Sequence, residues 1–284
     1  MARHDPLNRT RYWEDPHLAG LSCLHADFTA HDYAPHAHDG FVIAATEAGG
    51  AEFTSRGSVG EATPSALLVF NPGEPHSGRM GRSRRWRYRS LYLDGQAIGA
   101  LGDLLGIAAA PHFTRNLLGD ADLIQAFLDL HQALDAGEDP LRTRELLVQG
   151  FGRLARRHGV RPTGLPGVPR DRARLGRVLE LMQDRYAEPL GLETMAAAVD
   201  LSPFQLIALF KRETGLTPHA YLVQLRLKVA MGALKAGVPI AEAATSAGFY
   251  DQSALTRHLK QCYGVTPLQF ARAAGARPTR KFRQ

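Results

Sequence analysis

Trp86, Tyr88 and Tyr92 lie along Trp86-Arg-Tyr-Arg-Ser-Leu-Tyr92, so an extended chain puts all three rings on one face. Rings gathered that way can line an apolar pocket for a small molecule. They can equally be plain core packing. A basic cluster, Arg82, Arg84, Arg85, Arg87 and Arg89, runs into the same stretch. Such a cluster could meet an anionic ligand, but a solvated edge strand is its commoner use. Imidazoles stand at His36 and His38, in Pro35-His-Ala-His38, and at His76, which closes Asn71-Pro-Gly-Glu-Pro-His76. Pocket lining or structural hydrogen bonding is the ordinary role of such groups. The chain has no Gly-rich phosphate loop, no Cys-x-x-Cys and no other catalytic constellation.

A second set of chemistry-bearing residues is repeated. Ala196, Val199 and Leu201 return 48 residues on as Ala244, Ala247 and Phe249. Leu206, Lys211, Gly215, Thr217 and Pro218 return 49 residues on as Leu255, Lys260, Gly264, Thr266 and Pro267. Each copy reads as a short helix, a tight turn and a capped helix, the layout of a helix-turn-helix whose second helix enters the major groove. In the first such helix Leu206, Leu209 and Phe210 form the buried stripe, leaving Phe204, Gln205, Ile207, Ala208 and Lys211 on other faces. In the second, Leu255 and Leu259 are buried and Gln252, Ser253, Thr256, Arg257 and Lys260 stay outside. Arg257 could bind guanine bidentately and Gln252 could reach adenine, each good pair contributing about 1–3 kcal/mol of discrimination. Lys211, Arg212 and Lys260 suit phosphates, and Ser202 caps the first helix at the DNA-facing end.

These residues need elements to hold them. With 284 residues the chain has room for two domains. Residues 170–284 carry 17 Lys+Arg against 9 Asp+Glu, whereas residues 1–169 carry 17 against 19. A basic half beside a slightly acidic one fits attraction to phosphates by one half only. Residues 1–110 read as β-rich, with apolar runs such as Phe41–Ala45 and Ala66–Phe70 between turn-forming clusters. Residues 111–158 turn helical, with Leu123, Ala126, Phe127, Leu130 and Leu134 on one face. Three Gly and three Pro within residues 159–169 mark a linker over 159–170. Residues 171–284 then read as helices. Cys23 and Cys262 are expected to be free thiols in a reducing cytoplasm. The polar start Met1–Trp13 carries no apolar run of a leader, and no stretch of about 18 apolar residues points to a membrane.

Residues 171–272 resemble the AraC/XylS family of bacterial transcription regulators. The resemblance rests on Met195-Ala-Ala-Ala-Val-Asp-Leu-Ser202, Leu206-Ile-Ala-Leu-Phe-Lys211, Gly215, Tyr221, Arg226, Gly248-Phe249, Asp251, Ser253, Leu255, Arg257 and Gly264-Val-Thr-Pro267. It implies two helix-turn-helix units joined by a rigid helix, here His219–Ala236, that read double-stranded DNA on one face. Ile207 and Ala208 stand where the family commonly has polar or Arg residues, which leaves the first helix thymine methyls or the backbone to contact. Arg226 is expected to pair with a carboxylate inside the fold. The tail Arg277–Arg283 could contact phosphates, though terminal charge of this kind is more often disordered.

Residues 20–95 resemble the cupin-like sensory domain that precedes the DNA-binding domain in this family. The expected fold class is therefore α+β in two domains, a cupin-like β-barrel with following helices and an all-α domain of two helix-turn-helix units. The resemblance implies a small-molecule effector held by His36, His38, His76, Trp86 and Tyr88, with no cofactor and no metal. In metal-binding cupins such histidines can ligate a divalent ion, with Glu47 a weaker fourth ligand here. The helices at 111–158 would pack on the barrel or make a homodimer, the latter being favoured. RNA polymerase is a further partner that the resemblance implies. The rival reading is a metal-dependent cupin enzyme fused to a DNA-binding module.

Overall fold

The computed structural model describes residues 8–105, 107, 109–160 and 169–275. The chain forms two compact units, here called N-terminal and C-terminal after the bulk of each; residues 33–36 group with the second. The expected linker falls largely on residues 161–168, outside the described residues, as does the tail Arg277–Arg283.

Ahead of the first helix the strands are β1 (Arg9–Glu14), β2 (Leu21–Phe28), β3 (Asp32–His36), β4 (Phe41–Gly49), β5 (Ala51–Ser55), β6 (Ser58–Ala62), β7 (Leu67–Phe70), β8 (His76–Arg79) and β9 (Trp86–Leu93). Helix α1 (Gly95–Leu105), the short strands β10 (His112–Phe113) and β11 (Leu117–Leu118), helices α2 (Ala121–Ala136) and α3 (Pro140–His158), and β12 (Gly159–Val160) follow. The strands make a six-stranded sheet in the order β1-β2-β9-β4-β7-β11 and a four-stranded sheet in the order β3-β8-β5-β6, so the expected barrel is two sheets and not one closed ring. Gly159 and Val160, expected to open the linker, instead pair with β10.

Period-two patterning gives the large sheet two faces. One carries Leu21 and Cys23, Phe41 and Ile43, Leu67 and Val69, Leu91 and Leu93, all buried under α1, α2 and α3. The apolar stripe of α2 and α3, through Leu123, Phe127, Leu130, Leu147 and Phe151, is spent on this sheet, which decides the alternatives for that stripe in favour of packing. The other face meets the small sheet, where Phe53 of β5 and His76 of β8 both touch the Phe70 ring.

Helix α1 lies where the sequence reads as strand. Its glycines at 95, 99 and 102 hid it, but Asp94 accepts from the amides of Gln96 and Ala97 and so starts the helix. The β5–β6 turn needs positive φ at both central residues, Arg56 (52°) and Gly57 (74°). The strain at Arg56 is offset by its guanidinium, which bonds Glu74 and the Phe113 carbonyl. Glu74 also accepts from Ser55, Asn71 and Asn116, tying the two sheets together. Burial opposes ionisation of that carboxyl, but these donors win and bring it down to about 2.

The C-terminal unit contains α4 (Pro169–Arg185), α5 (Leu192–Ala197), α6 (Pro203–Thr214), α7 (Pro218–Lys235), α8 (Ile240–Ser246), α9 (Gln252–Tyr263) and α10 (Pro267–Ala273). Capping follows the sequence closely. Ser202, Thr217, Asp251 and Thr266 each accept a backbone N–H at a helix start, and Gly215 and Gly264 end α6 and α9 at φ near 70°. Val178, Met182, Met195, Val199, Leu206, Phe210 and Leu222 make one core from α4 to α7.

Two predictions follow from this packing. A Cβ on Gly248, at φ 83°, would stand 2.7 Å from the Tyr186 carbonyl and 2.8 Å from the Ala187 Cα. Gly248→Ala should therefore cost roughly 2–4 kcal/mol, seen as a fall in Tm by calorimetry. Asp200→Gly, at φ 53° in the other copy, should change Tm far less and upward. His131 is fully buried between Arg89 and the Leu24 carbonyl. Burial, joined by the Arg89 charge, lowers its pKa to about 4. Between pH 6.5 and 4 the unfolded histidine takes up a proton that the folded one refuses, so stability falls as pH falls through this window. His131→Asn should flatten urea-unfolding stability there by about 1.4 kcal/mol per pH unit; an unchanged slope would refute the assignment.

Candidate functional site

The two helix-turn-helix copies use the same backbone bonds. In the first, the Leu201 N–H reaches the Ala196 carbonyl at 3.0 Å; in the second, the Phe249 N–H reaches the Ala244 carbonyl at 3.0 Å. Ala196, and Ala243, Ala244 and Ala247 in the second copy, are buried, and their small side chains admit the close approach of α5 to α6 and of α8 to α9. The turn residue is Asp200 in one copy and Gly248 in the other, both at positive φ. Helix α7 packs against α6 and against α8, α9 and α10.

The outer face of α9 matches its expectation. Gln252, Ser253 and Arg257 are exposed, and Thr256 and Lys260 are half-buried beside them. The Thr256 hydroxyl donates to the Gln252 carbonyl at 2.8 Å, so its methyl is the group left to face a partner. Helix α6 is less free than its residue types imply. Gln205 closes a capping box, accepting the Ser202 N–H at 2.9 Å while the Ser202 hydroxyl accepts the Gln205 N–H at 3.3 Å. Both polar groups are thereby committed to the helix start. Ile207 is half-buried and Ala208 and Lys211 are exposed, while the Phe204 side chain lies outside the described residues. Arg212 bridges Asp171 of α4 and its neighbour Glu213, each at 2.7 Å. Arg226 is structural, but its partners are the carbonyls of Tyr186 and Glu188 and not a carboxylate.

Tyr250 was not among the expected residues. It is 93% exposed, immediately before the Asp251 cap of α9. The repeat offset grows by one residue between Phe249 and Leu255, and that irregularity was the available signal.

In the N-terminal unit β9 places Trp86, Tyr88 and Tyr92 on one face as the alternation requires. Trp86 stacks on Tyr88 at 4.3 Å and donates its indole N–H to the Thr46 hydroxyl. His76 lies flat on Phe70 at 3.8 Å and 3°, with His38 stacked beyond it at 5.4 Å and Tyr92 5.0 Å from His38. The ring nitrogens of His36, His38 and His76 come within 4.8 Å of one another. Nδ1 of His36 and of His76 lies at hydrogen-bond distance from the Ala34 and Glu74 carbonyls. Burial lowers the His76 pKa to about 4, so this ring is neutral at pH 7.

Glu47 does not join the histidines. It sits on the opposite face of the sheet, paired with His25, Arg87 and Arg89. The arginine cluster is mostly consumed in ion pairs as well: Arg85 holds Asp27, and Arg89 spans from Glu47 to Asp135 of α2.

The AraC-like ligand binding domain family matches residues 18–151, and a helix-turn-helix domain family matches residues 195–273. The HTH-type transcriptional regulator YbfI of Bacillus subtilis (strain 168) is 28% identical over 87% of this chain and 90% of its own length. The arabinose operon regulatory protein of Escherichia coli (strain K12) is 27% identical over 95% and 94%. The structure of ToxT from Vibrio cholerae with an unsaturated fatty acid bound has a TM-score of 0.51 at 12% identity, covering 95% of this chain and 97% of that one. The chain is a member of the AraC/XylS family of DNA-binding transcription regulators, with an AraC-like ligand-binding domain ahead of its helix-turn-helix domain.

Proposed function

We propose that α9 is the main reader of base sequence and that α6 chiefly anchors the complex. The observation that carries this is the contrast between the two helices. Gln252, Ser253 and Arg257 make no side-chain hydrogen bond or ion pair among the described residues, whereas Ser202, Gln205 and Arg212 are already engaged. Arg257 pairs with guanine, Gln252 with adenine, and Lys211 and Lys260 with phosphates. Ile207, Ala208 and the Thr256 methyl offer apolar contact to thymine methyls. Tyr250 adds a contact at the edge of the same groove. Arg212 reaches a phosphate only by giving up Asp171.

The N-terminal unit acts as the sensor, and a small molecule bound near His36, His38, His76, Trp86 and Tyr88 shifts DNA affinity by its differential affinity for the two states. The fatty acid bound to ToxT supports control of this kind. Assembly as a homodimer through the outer faces of α2 and α3, where Leu141 is exposed, and contact with RNA polymerase complete the reading. The protein acts in the cytoplasm as a regulator and not as an enzyme, with buried Cys23 and Cys262 as thiols. The clustered histidine nitrogens favour one second reading, a metal-dependent enzyme fused to the DNA-binding unit. Stoichiometric metal in the isolated protein, and turnover lost in His38→Ala, would select it.

Footprinting of the DNA upstream of the gene separates the roles of the helices. Arg257→Ala should weaken protection by roughly 10- to 100-fold and relax preference at one base pair. Gln205→Ala should lower Tm by loss of part of the capping box, about 0.5–1 kcal/mol, with base preference unchanged. Equal protection by wild type and Arg257→Ala at every base would remove Arg257 from the reading set.

A further inference from the structure

One guanidinium joins both helix-turn-helix copies. Arg226 of α7 donates from Nε to the Tyr186 carbonyl at 2.7 Å and from Nη2 to the Glu188 carbonyl at 2.8 Å, in the turn between α4 and α5. Gly248, the turn residue of the second copy, packs so near that a Cβ there would stand 3.0 Å from the same Nε. No carboxylate pairs with Arg226 among the described residues. Glu188 offers it only a backbone carbonyl and commits its side chain to Arg185 at 2.8 Å. A half-buried guanidinium is ordinarily neutralised by a carboxylate, because the loss of hydration is otherwise only partly offset.

His258 of α9 extends the same charge. Its half-buried ring lies 5.7 Å from Phe249, the residue after Gly248. Burial first, then the charges of Arg257 on its own helix and of His219 and Arg226 on α7, hold its pKa below the usual histidine value. No carboxylate is among the groups that act on it. Neither of the two histidines, nor Nη1 of Arg226, makes a hydrogen bond among the described residues. His219 and Arg257 are exposed, so the cluster opens to solvent. Four cationic or protonatable side chains thus gather at one junction without an acid, and the local potential there favours an anion.

We propose that His219, Arg226 and His258 form a seat for a phosphate oxyanion at this junction, and that a backbone phosphate of bound DNA fills it. The assignment rests on the reading of α9 as the helix in the major groove. His258 adjoins Arg257 in α9, so placing Arg257 in the groove brings the junction toward the strand that borders it, and the first helix of such a unit crosses that backbone. Arg226 offers its free Nη1, and each imidazole offers an N–H. The phosphate balances the charges that keep the proton off His258 and so stabilises the imidazolium. DNA binding at this seat takes up a proton, and affinity rises as pH falls. In the free protein the sign is opposite. The unfolded His258 protonates more readily than the folded one, so stability falls as pH falls below the ordinary histidine range.

The test measures binding of the full-length protein to the DNA upstream of the gene by fluorescence anisotropy, at constant ionic strength. From about pH 7.5 down to about pH 6 the wild-type affinity should rise about three- to tenfold, one proton giving at most about tenfold per pH unit. His258→Gln, which stays polar but cannot be charged, should lose most of that rise. His219→Gln, at an exposed position, should lose part of it and serves should the half-buried substitution disturb folding. Footprints of both variants should keep the wild-type base preference, since a phosphate contact is blind to sequence. Parallel pH profiles for the wild type and both variants overturn the seat. A changed base preference overturns the phosphate in favour of a base contact. Replacing chloride by inorganic phosphate tests the other source. A His258-dependent rise in the Tm of the free protein, with weaker DNA binding, assigns the seat to free phosphate and overturns the DNA backbone. Protection indifferent to Arg257→Ala, with the His258-dependent rise intact, overturns the reading of α9 and not the seat.

Discussion

The DNA-binding unit is built around the buried stripe of α7. Leu222, Val223, Leu227, Ala230 and Leu234 are buried, and the helix contacts α6, α8, α9 and α10. At 1.5 Å per residue, its 18 residues span about 27 Å. Bending this helix would expose its buried apolar stripe to water, so α6 and α9 are both fixed to one strut. The capping residues at Thr217 and Gly215 fix where that strut starts and where α6 stops.

The N-terminal unit is ordered by a different constraint, the period of two along its strands. Each strand of the large sheet serves two environments at once. One face is covered by helices and ends in a charged cluster around Arg89; the other meets the small sheet and is aromatic and neutral. Arg89 belongs to both the sheet and the α2 contact, since it pairs with Glu47 and Asp135 and touches His131. A change in the sheet therefore has a direct mechanical route to α2. That route passes through a buried polar network, where each lost partner is expensive.

Residue types alone overstated the reach of several side chains. Gln205 looked outward by helical spacing, but a glutamine three residues after a serine cap has a nearer partner in the backbone N–H of that cap. Arg212 looked like a phosphate anchor, yet Asp171, 41 residues earlier, lies within 2.7 Å. Arg226 was correctly assigned to the interior, but to the wrong acceptor. Glu47 was grouped with the histidines because it follows them in sequence; strand alternation puts it on the reverse side. Each case concerns where a long polar side chain ends, which spacing does not fix.

The sequence by itself determined the repeat, the caps, the glycine turns and the family. These are local: Ser, Thr or Asp before a helix and Gly after it act within one turn of the chain, and the 48- and 49-residue offsets need no partner to be seen. It also determined that Trp86, Tyr88 and Tyr92 share a face. Only the tertiary structure decided that the strands form two sheets and not one closed barrel, that the stripe on α2 and α3 is used up on the sheet, and that Glu47 pairs with His25, Arg87 and Arg89. Those outcomes depend on which distant strands and helices meet, and pairing between segments dozens of residues apart is set by the sum of many weak contacts and by no single motif.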